Sequence, residues 1–276
     1  MTLSLTSLSA AEAQLAKLSP VEILRQIHRA FGSRAAILSS MQRAGTMLCH
    51  MADRAGLGFD VVFVDTGVLH AETLATRDRL AETHANLHVV TLHPKATFQE
   101  QTAKEGLLYL SKEGQERCCD LRKSEPLEAI VGQYDVLIGA LRRDEGGRRA
   151  ATRFIDLDPR LGVVRIHPLA AMTRADIDAY ITAHRDVVVN PLHYLGFPTI
   201  GCFPCTTPVR PDEDERAGRW RHLADVAYCG INPTDRGDTE RTTTLPEGGE
   251  ARFRAFERGL LEGGNGAPQP SRPTAS

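Results

Sequence analysis

Short apolar runs alternate with amphipathic stretches through the first two thirds of the chain. The runs with the length of buried strands cover residues 34–40, 60–67, 87–92, 134–141 and 163–169. The stretches between them with helical periodicity cover residues 45–56, 71–84, 119–131 and 173–184. Another helix begins after Ser19, because Pro20 at the first helical position and Glu22 two residues later complete a capping-box pattern. Strands that alternate with helices predict an α/β fold, with a mostly parallel sheet covered by helices on both faces.

The composition changes after about residue 206, where charged residues and then Gly, Pro and Thr replace the apolar runs. We therefore predict two parts. Residues 1–225 form the α/β domain, and residues 226–276 form a mobile C-terminal segment with too little apolar surface to fold alone. Within that segment, residues 251–261 (ARFRAFERGLL) are amphipathic. They are either a helix that docks on the body or on a partner, or a weakly ordered helix.

Bulk composition narrows the classes of function. The chain has 276 residues and a formal net charge of -2, which gives no electrostatic reason to expect nucleic-acid binding. The N-terminal residues lack the basic and apolar regions of a signal peptide, and no later stretch is long and apolar enough to span a membrane. We therefore expect a cytoplasmic protein with reduced thiols. Its six cysteines are then better suited to metal binding or catalysis than to disulfides.

Three loops follow predicted strands, at the edge where open α/β sheets bind ligands. Residues 39–43 (SSMQR) either offer hydroxyl and amide groups to a phosphate at a helix N-terminus or form a simple capping turn. Residues 65–67 (DTG) either contact a nucleotide or form an ordinary turn. Arg142 and Arg143 follow the fourth strand, with more arginines close behind. Such a cluster suits phosphate or sulfate recognition, although a solvated run of charges has the same composition.

Four of the cysteines form two close pairs. Cys118 and Cys119 are adjacent, and Cys202 and Cys205 form a CxxC pair with a proline inside the turn. Four thiolates hold either zinc or an iron–sulfur cluster. An adjacent pair fits the open corners of a cuboidal [4Fe–4S] cluster better than it fits one tetrahedral ion. Lys123 follows about one helical turn later, so it is either a cation near a cluster or substrate, or a surface lysine.

The two remaining cysteines differ in their surroundings. Cys49 lies among apolar residues of a predicted helix, which indicates a buried structural thiol. Cys229 precedes Gly230 in the C-terminal segment, and several arginines lie in the preceding twenty residues. Because cations lower the pKa of a thiol, Cys229 is a candidate nucleophile, although a thiol without a catalytic role is equally consistent with this position.

Taken together, these motifs resemble the assimilatory sulfonucleotide reductases, and in particular the cluster-containing adenylylsulfate (APS) reductases. The resemblance runs from about residue 20 to residue 232. The matching stretches are VVFVDTGVLHAETLATRDRL, CCDLRKSEPL, IGALRRDE, NPLHYLGFPTIGCFPCTTPV and EDERAGRW. Members of the family that use phosphoadenylylsulfate generally lack the CC…CxxC cysteines. The resemblance therefore implies APS as the substrate and an adenine-nucleotide α-hydrolase-like (PP-loop-like) fold.

The resemblance also implies roles for individual residues. The ligands of a [4Fe–4S] cluster would be Cys118, Cys119, Cys202 and Cys205. The nucleotide, phosphate and sulfate would be bound by Ser39, Ser40, Gln42, Asp65, Thr66, Gly67, Arg142, Arg143, Arg216 and Arg219. Lys123 would lie near cluster and substrate. Cys229 would attack the sulfur of APS, and thioredoxin or a similar dithiol would then release sulfite. Members of the family are often homo-oligomers, so the resemblance also allows for an oligomer of this chain.

The chain departs from the family pattern in three places, one of which is the aromatic run that usually follows GRW and is replaced here by Arg221 and His222. The usual setting of the nucleophile is Glu-Cys-Gly-Leu/Ile-His, whereas residues 228–232 of this chain are YCGIN. The loop SSMQRAG also lacks the glycine and the acidic residue that the family more often has there. Two other hypotheses therefore remain. One is a nucleotide-dependent sulfur transferase (thiolation), and the other is a non-catalytic cluster protein that binds APS or senses redox state.

Overall fold

A six-stranded sheet lies at the centre of the computed structural model, which describes residues 2–223, 231–237 and 241–262. The strands are β1 (Thr2–Ser4), β2 (Ala35–Leu38), β3 (Phe59–Val64), β4 (Leu87–Leu92), β5 (Val136–Ile138), β6 (Ile155–Asp158), β7 (Val163–Ile166) and β8 (Thr242–Thr244). The helices are α1 (Ser9–Leu15), α2 (Pro20–Phe31), α3 (Arg43–Arg54), α4 (Ala71–Thr83), α5 (Phe98–Glu105), α6 (Lys112–Cys119), α7 (Glu125–Glu128), α8 (Arg174–Ala183), α9 (Pro233–Arg236) and α10 (Gly249–Leu261).

Five strands of the central sheet are parallel, and the edge strand β6 is antiparallel to β7. The order is β4-β3-β2-β5-β7-β6. The chain therefore winds outward from β2 in both directions, and this reversal leaves a crevice beyond the carboxyl ends of β2 and β5. The predicted α/β fold with a mostly parallel sheet is confirmed, and the five predicted strands correspond to β2, β3, β4, β5 and β7.

Alternate residues of β2 point to opposite faces of the sheet, and both faces are covered. Ile37 belongs to the larger apolar cluster, with Leu24 of α2 and Leu48 of α3. Ala36 belongs to a second cluster, with Leu127 of α7. All five of these side chains are almost fully buried. Helices therefore pack on both faces, as the alternation of strands and helices predicted.

The first predicted helix begins where the capping pattern placed it. The Ser19 hydroxyl accepts a hydrogen bond from the Glu22 amide at 3.4 Å, and a Glu22 carboxylate oxygen accepts one from the Ser19 amide at 2.7 Å. These two bonds satisfy amides that the first turn of a helix leaves without partners, which is worth about 1 kcal/mol. The apolar side of α2 then packs into the larger cluster.

The helix predicted for residues 119–131 is interrupted. α6 ends at Cys119, residues 120–124 form a π-helical turn, and α7 ends at Glu128. Turns of this kind are rare and occur mostly at functional sites. Here the turn carries Arg122, which is 2% exposed and donates from Nε to the Thr66 carbonyl at 2.6 Å. The turn thus joins the cysteine-bearing helix to the loop after β3.

The sequence analysis missed β6, because its residues IDLD include two aspartates. All four residues are nonetheless buried. Asp158 forms an ion pair with Arg165 of β7 at 2.7 Å, and Asp156 forms one with Arg241 at 3.0 Å. Each buried carboxylate therefore has a buried cation beside it, which offsets the cost of removing both charges from water.

The C-terminal residues within the described range pack on the body. β8 pairs with β1 in antiparallel fashion. Phe253 and Phe256 of α10 are almost fully buried, and the Phe256 ring lies 5.5 Å from that of Phe31 in α2. Of the alternatives for residues 251–261, the structure therefore supports a helix that docks on the body. The predicted boundary at residue 226 lies outside the described residues. None of the helices in the described part of the chain is long and apolar enough to cross a membrane.

Candidate active site

A cavity of about 210 Å³ opens beyond the carboxyl ends of β2 and β5, at the reversal of the strand order. We call it the main cavity. The loops after β2, β3 and β5 all contribute to its lining. Its lining arginines are Arg43, Arg142, Arg149, Arg174 and Arg219. Glu145 and Glu215 also line it. A concave, arginine-rich site at this position suits an anionic ligand such as a nucleotide.

The loop after β2 brings Ser39, Ser40 and Gln42 to the main cavity, as predicted. Met41 between them is fully buried and has a left-handed backbone, with φ of 58°. The Met41 amide donates to the Ser39 hydroxyl at 3.2 Å, which holds the turn. Gly45 is required by space, because a Cβ atom there would lie 2.7 Å from the Ser39 oxygen. The close turn places the start of α3 beside the cavity, where helix amides attract anions.

A second layer of contacts fixes this loop to the wall formed by residues 190–200. The Gln42 side-chain oxygen accepts a hydrogen bond from the Ile200 amide at 2.8 Å, and the Arg43 amide donates to His193 Nε2 at 3.2 Å. Burial, with the nearby charge of Arg43, lowers the pKa of His193 to about 4. His193 is therefore neutral near pH 7 and accepts the amide hydrogen through Nε2.

Of the three residues predicted in the loop after β3, only Thr66 lines the main cavity. Asp65 instead accepts a hydrogen bond from the Gly67 amide at 2.8 Å, within its own turn. Gly67 has a φ of 73°, and a Cβ atom there would lie 2.9 Å from the guanidinium of Arg122. Asp65 and Gly67 thus shape the turn, and the Thr66 hydroxyl is the group that the turn presents.

Arg142 and Arg219 lie where the sequence predicted anion-binding groups. Both line the main cavity. The Nε atom of each is buried, and among the described residues it has no hydrogen-bond partner. Arg142 also pairs with Asp144 at 2.8 Å, and Arg219 stacks on Trp220 with its guanidinium carbon 4.3 Å from the ring centre. Buried donors without partners are costly, so these two arginines are the best candidates to bind an anion.

Arg143 is not brought to the main cavity. Its side chain donates to the Thr152 carbonyl at 2.8 Å and lies over the Phe154 ring at 5.1 Å. Arg216 does not line the cavity either. Burial, together with the nearby charges of Arg149 and Arg219, lowers the pKa of Arg216 to about 10. Arg216 therefore adds positive charge behind the cavity wall, whereas Arg143 packs against the body.

The sequence analysis assigned no role to Arg174, which also lines the cavity. It is the first residue of α8, and its guanidinium contacts Asp178 at 2.8 Å and Glu215 at 2.6 Å. Glu215 belongs to the matched stretch EDERAGRW, so this ion pair connects α8 to that stretch. No local pattern could have indicated this contact, because Arg174 begins an ordinary amphipathic helix and its partner lies 41 residues away.

The four paired cysteines line one small hollow beside the main cavity. We call this the thiol hollow; its members are Cys118, Cys119, Cys202 and Cys205. Burial is the main cause that raises the pKa of Cys118, and it raises the pKa of Cys205 to about 12. Thiols with raised pKa values are poor nucleophiles at neutral pH. The two sequence pairs therefore meet in space, as a shared ligand role requires.

Polar side chains surround the sulfur atoms. Gln115 Nε2 lies 3.1 Å from Cys119 Sγ, and Gln101 Nε2 lies 3.7 Å from Cys118 Sγ. The Thr66 hydroxyl lies 3.3 Å from Cys202 Sγ. Both glutamines are almost fully buried. The sequence analysis did not single them out, because a glutamine on a helix carries no pattern of its own.

Lys123 and Cys202 line both the main cavity and the thiol hollow. The predicted location of Lys123, between a thiol centre and a ligand site, thus agrees with the geometry. Cys49 is fully buried, and burial raises its pKa to about 12, in agreement with a structural thiol. Cys229 lies outside the described residues. Within the described ranges, no three His, Cys, Asp or Glu side chains are close enough to enclose one metal ion.

The fold and the two adjoining sites define an α/β protein with an arginine-lined cavity next to a buried thiol centre. The chain belongs to the phosphoadenosine phosphosulfate reductase family, because the model of that family's domain matches residues 34–208. The family predicted from the sequence motifs is therefore confirmed.

Two relatives and one solved structure illustrate the similarity. The chain is 41% identical over 219 residues to an adenosine 5'-phosphosulfate reductase of Streptomyces coelicolor, covering 79% of this chain and 90% of the relative. It is 32% identical over 212 residues to adenosine 5'-phosphosulfate reductase 1 of Bacillus subtilis, covering 77% and 90%. The crystal structure of phosphoadenylyl-sulfate reductase from Candida auris superposes with a TM-score of 0.63 at 23% identity. That alignment covers 75% of this chain and 99% of the other, and it shows a shared fold.

Proposed function

We propose that this protein reduces adenylylsulfate (APS) to sulfite and AMP in sulfate assimilation. The observation that carries the proposal is the contact between the main cavity and the thiol hollow, which share Lys123 and Cys202. The relatives of similar length are named as reductases of this substrate. An anionic nucleotide beside a four-thiol centre is the arrangement that such a reaction uses.

The residues of the main cavity suit the substrate's charges. Ser39, Ser40 and Gln42 and the start of α3 would hold one end of the nucleotide. The unpartnered Nε donors of Arg142 and Arg219 would bind the phosphate and sulfate oxygens.

The thiol hollow fits a [4Fe–4S] cluster, which Cys118, Cys119, Cys202 and Cys205 would hold. Four soft sulfur donors line one hollow. Four thiolates can hold either zinc or an iron–sulfur cluster, and the adjacent pair Cys118 and Cys119 favours the cluster. When bound, the cluster would supply redox and electrostatic chemistry at this wall of the main cavity. Since ligand thiols bind as thiolates, their raised pKa values mean that cluster binding releases protons.

The chemistry on the protein begins at Cys229, by analogy with the family pattern. Its thiolate would attack the sulfur of APS. A bond forms between Sγ and that sulfur, and the bond to AMP breaks, with its electron pair on the phosphate oxygen. Lys123, Arg142 and Arg219 would stabilise the charge on the departing phosphate. Covalent capture divides a difficult reduction into two easier steps.

The second step needs a dithiol, for which we propose thioredoxin or a similar reductant. Its first thiolate attacks Cys229 Sγ, and sulfite leaves with the electron pair of the broken sulfur–sulfur bond. Its second thiol resolves the mixed disulfide, which returns Cys229 as a thiol and leaves the reductant oxidised. This cycle suits the cytoplasm, where thiols are kept reduced.

An assay that mixes anaerobically purified protein with APS and reduced thioredoxin tests the proposal directly. We expect sulfite and AMP in equal amounts from the native protein and none from Cys229→Ser. Without reductant, intact mass should show one added SO₃ group on Cys229. Consumption of ATP would instead indicate a sulfur transferase. APS binding without any S-sulfonate would indicate a non-catalytic cluster protein.

A further inference from the structure

Three threonines lie on α4, and their hydroxyl groups are used differently. The Thr76 hydroxyl donates to the Glu72 carbonyl at 2.6 Å, and the Thr83 hydroxyl donates to the Arg79 carbonyl at 2.7 Å. Both acceptors lie four residues earlier, which is a common bond for a threonine within a helix. Thr73 lines the main cavity, and among the described residues its hydroxyl donates to no backbone or side-chain acceptor.

The Thr73 hydroxyl is instead the acceptor of a hydrogen bond. Asn190 is fully buried, and its Nδ2 atom donates to Thr73 Oγ1 at 3.0 Å. The other end of the Asn190 side chain fixes its orientation, because its oxygen accepts from the Leu192 amide at 3.1 Å. A backbone N–H only donates, so the atom beside it must be the oxygen, and the NH₂ group must then lie beside Thr73.

These two bonds leave the hydrogen of the Thr73 hydroxyl available. A threonine hydroxyl has one hydrogen and two lone pairs, and the bond from Asn190 occupies a lone pair. The hydrogen has no acceptor in the described part of the chain, although Thr73 is only 2% exposed. A buried donor without an acceptor is costly, so this part of the main cavity favours a ligand that brings an acceptor atom.

Asn190 connects Thr73 to the wall that also holds the loop after β2. It caps the short helical turn Pro191–Tyr194. That turn carries His193, which accepts from the Arg43 amide at 3.2 Å. The same wall thus orients the Thr73 hydroxyl and the start of α3, and both are presented to the same cavity.

We propose that the Thr73 hydroxyl donates a hydrogen bond to an acceptor atom of the bound sulfonucleotide, and that Asn190 is the positioning residue that directs this hydrogen into the main cavity. Thr73 therefore adds a neutral donor of fixed direction to the arginines of the cavity. The proposal rests on the proposed function for the identity of the ligand. The direction of the hydroxyl follows from the contacts of Asn190.

Equilibrium dialysis with APS and with AMP tests the proposal without turnover. Thr73→Val keeps the shape of the side chain but removes the hydroxyl, so we expect the dissociation constant of APS to rise about tenfold. AMP should show the same rise if the acceptor lies on the nucleotide, and a smaller one if it lies on the sulfate. Thr73→Ser should bind within about threefold of the native protein, because it keeps the donor.

Thr76→Val is the matched control for this measurement. Thr76 is 3% exposed on the same helix, but it does not line the main cavity, and its hydroxyl donates within the helix. The affinity of this variant for APS and AMP should equal that of the native protein. If Thr76→Val weakens binding as much as Thr73→Val does, the loss comes from α4 as a whole and the proposal is wrong.

A second variant separates a ligand contact from a structural one. Asn190→Asp keeps the acceptor for the Leu192 amide and the contact with Thr73, but a carboxylate only accepts, so the Thr73 hydroxyl must turn toward residue 190. The ligand then loses its donor. Because the carboxylate also adds a negative charge, the effect is measured at pH 8 in the native protein and in Thr73→Val. We expect Asn190→Asp to weaken APS binding about tenfold more in the native protein.

The outcomes distinguish this proposal from the proposed function. Equal affinities of the native protein and Thr73→Val for both nucleotides would overturn it, even in a protein that reduces APS. Simple additivity of Thr73→Val and Asn190→Asp would also overturn it, because the hydroxyl would then act only within the protein. Weaker binding by Thr73→Val in a protein that makes no sulfite would support the proposal and remove the proposed function. A native protein that binds neither APS nor AMP would contradict both.

Discussion

The main cavity and the thiol hollow share a wall, but charged side chains line the first and thiols with apolar side chains line the second. The charged residues of the cavity lining are arginines and carboxylates, which come from the strand-end loops, from α8 and from the EDERAGRW stretch. The hollow is lined by thiols, with the rings of Phe98 and Tyr109 and the apolar side chain of Val68. In the main cavity, the charged side chains are positioned to bind an anion. In the second, exclusion of water keeps thiols protonated and unreactive until a metal replaces their protons.

The difference explains why the same residue type has different roles in one protein. Cys118 and Cys205 have raised pKa values because they are buried. A nucleophile needs the reverse environment, with cations and access to the substrate. Lys123, on the shared wall, lies close enough to Cys118 and Cys205 to lower their pKa values somewhat, although burial dominates. The shared wall is therefore where charge on a thiol centre and charge on a bound nucleotide can influence each other.

The largest effect should come from removing a ligand of the thiol hollow. We expect Cys205→Ser to lose the cluster, and with it the iron and the broad absorbance near about 400 nm that iron–sulfur proteins show. Sulfite formation should be lost as well. Cys49→Ala is the control, because Cys49 is also buried but lies in the larger apolar cluster. Iron content and spectrum should survive that change. A Cys205→Ser protein with native iron content would show that the hollow is not the cluster site.

The next effect concerns two adjacent arginines that the sequence could not tell apart. Arg142→Met should weaken APS binding by roughly 100-fold, about 2–3 kcal/mol, because charge-assisted hydrogen bonds to the anion are lost. Arg143→Met should change the binding by less than about threefold, since the Arg143 side chain turns to Thr152 and Phe154. The dissociation constants of APS for the two variants give the comparison. Equal losses would mean that Arg143 also reaches the substrate.

Much of the sheet could be predicted because its evidence is local. Each parallel strand is a short apolar run, and the absence of polar residues within the run indicates that both of its faces are buried. β6 broke this rule, because Asp156 and Asp158 are buried only by virtue of Arg241 and Arg165, which are far away in the sequence or on the next strand. Sequence reasoning that treats aspartate as a surface residue misses a strand whose charges are neutralised by tertiary contacts.

In the candidate site too, some features follow from local sequence and others depend on tertiary contacts. The cysteine pairs and the residues of the loop after β2 could be predicted, because backbone geometry alone brings strand ends and helix starts together. Which member of a loop faces the cavity could not be predicted, since that depends on side-chain contacts. Thr66 faces it and Asp65 does not, because the Asp65 carboxylate binds the Gly67 amide.

The pH dependence of the free energy of unfolding tests whether His193, in the wall of the main cavity, is shielded from water as the thiols of the thiol hollow are. The folded protein binds a proton on His193 only near pH 4, whereas the ordinary value is 6.5. The unfolded chain therefore takes up the proton first as the pH falls, so the free energy of unfolding decreases between pH 6.5 and 4. We expect the native protein to lose about 2 kcal/mol more than His193→Gln between those limits.

Denaturant unfolding at several pH values measures that loss. His88→Gln is the control, because it removes a histidine whose side chain is 78% exposed. If His193→Gln has the same dependence on pH as the native protein, water or a compensating charge reaches His193. The wall of the main cavity would then differ from the thiol hollow in its access to water as well as in its charge.

The smallest effect should come from the polar groups that contact the sulfur atoms. Gln115 is 1% exposed and lies with Nε2 3.1 Å from Cys119 Sγ. Gln115→Leu keeps the volume but removes this donor, so the ligand sulfur loses about 1 kcal/mol of stabilisation. We expect about fivefold faster loss of iron to a chelator, followed by absorbance under anaerobic conditions. The control is Gln133→Ala, since Gln133 is exposed and its side chain donates to the Ala129 carbonyl within the turn after α7. Native kinetics in Gln115→Leu would mean that the hollow holds its metal through the thiols alone, and that its buried polar groups serve packing.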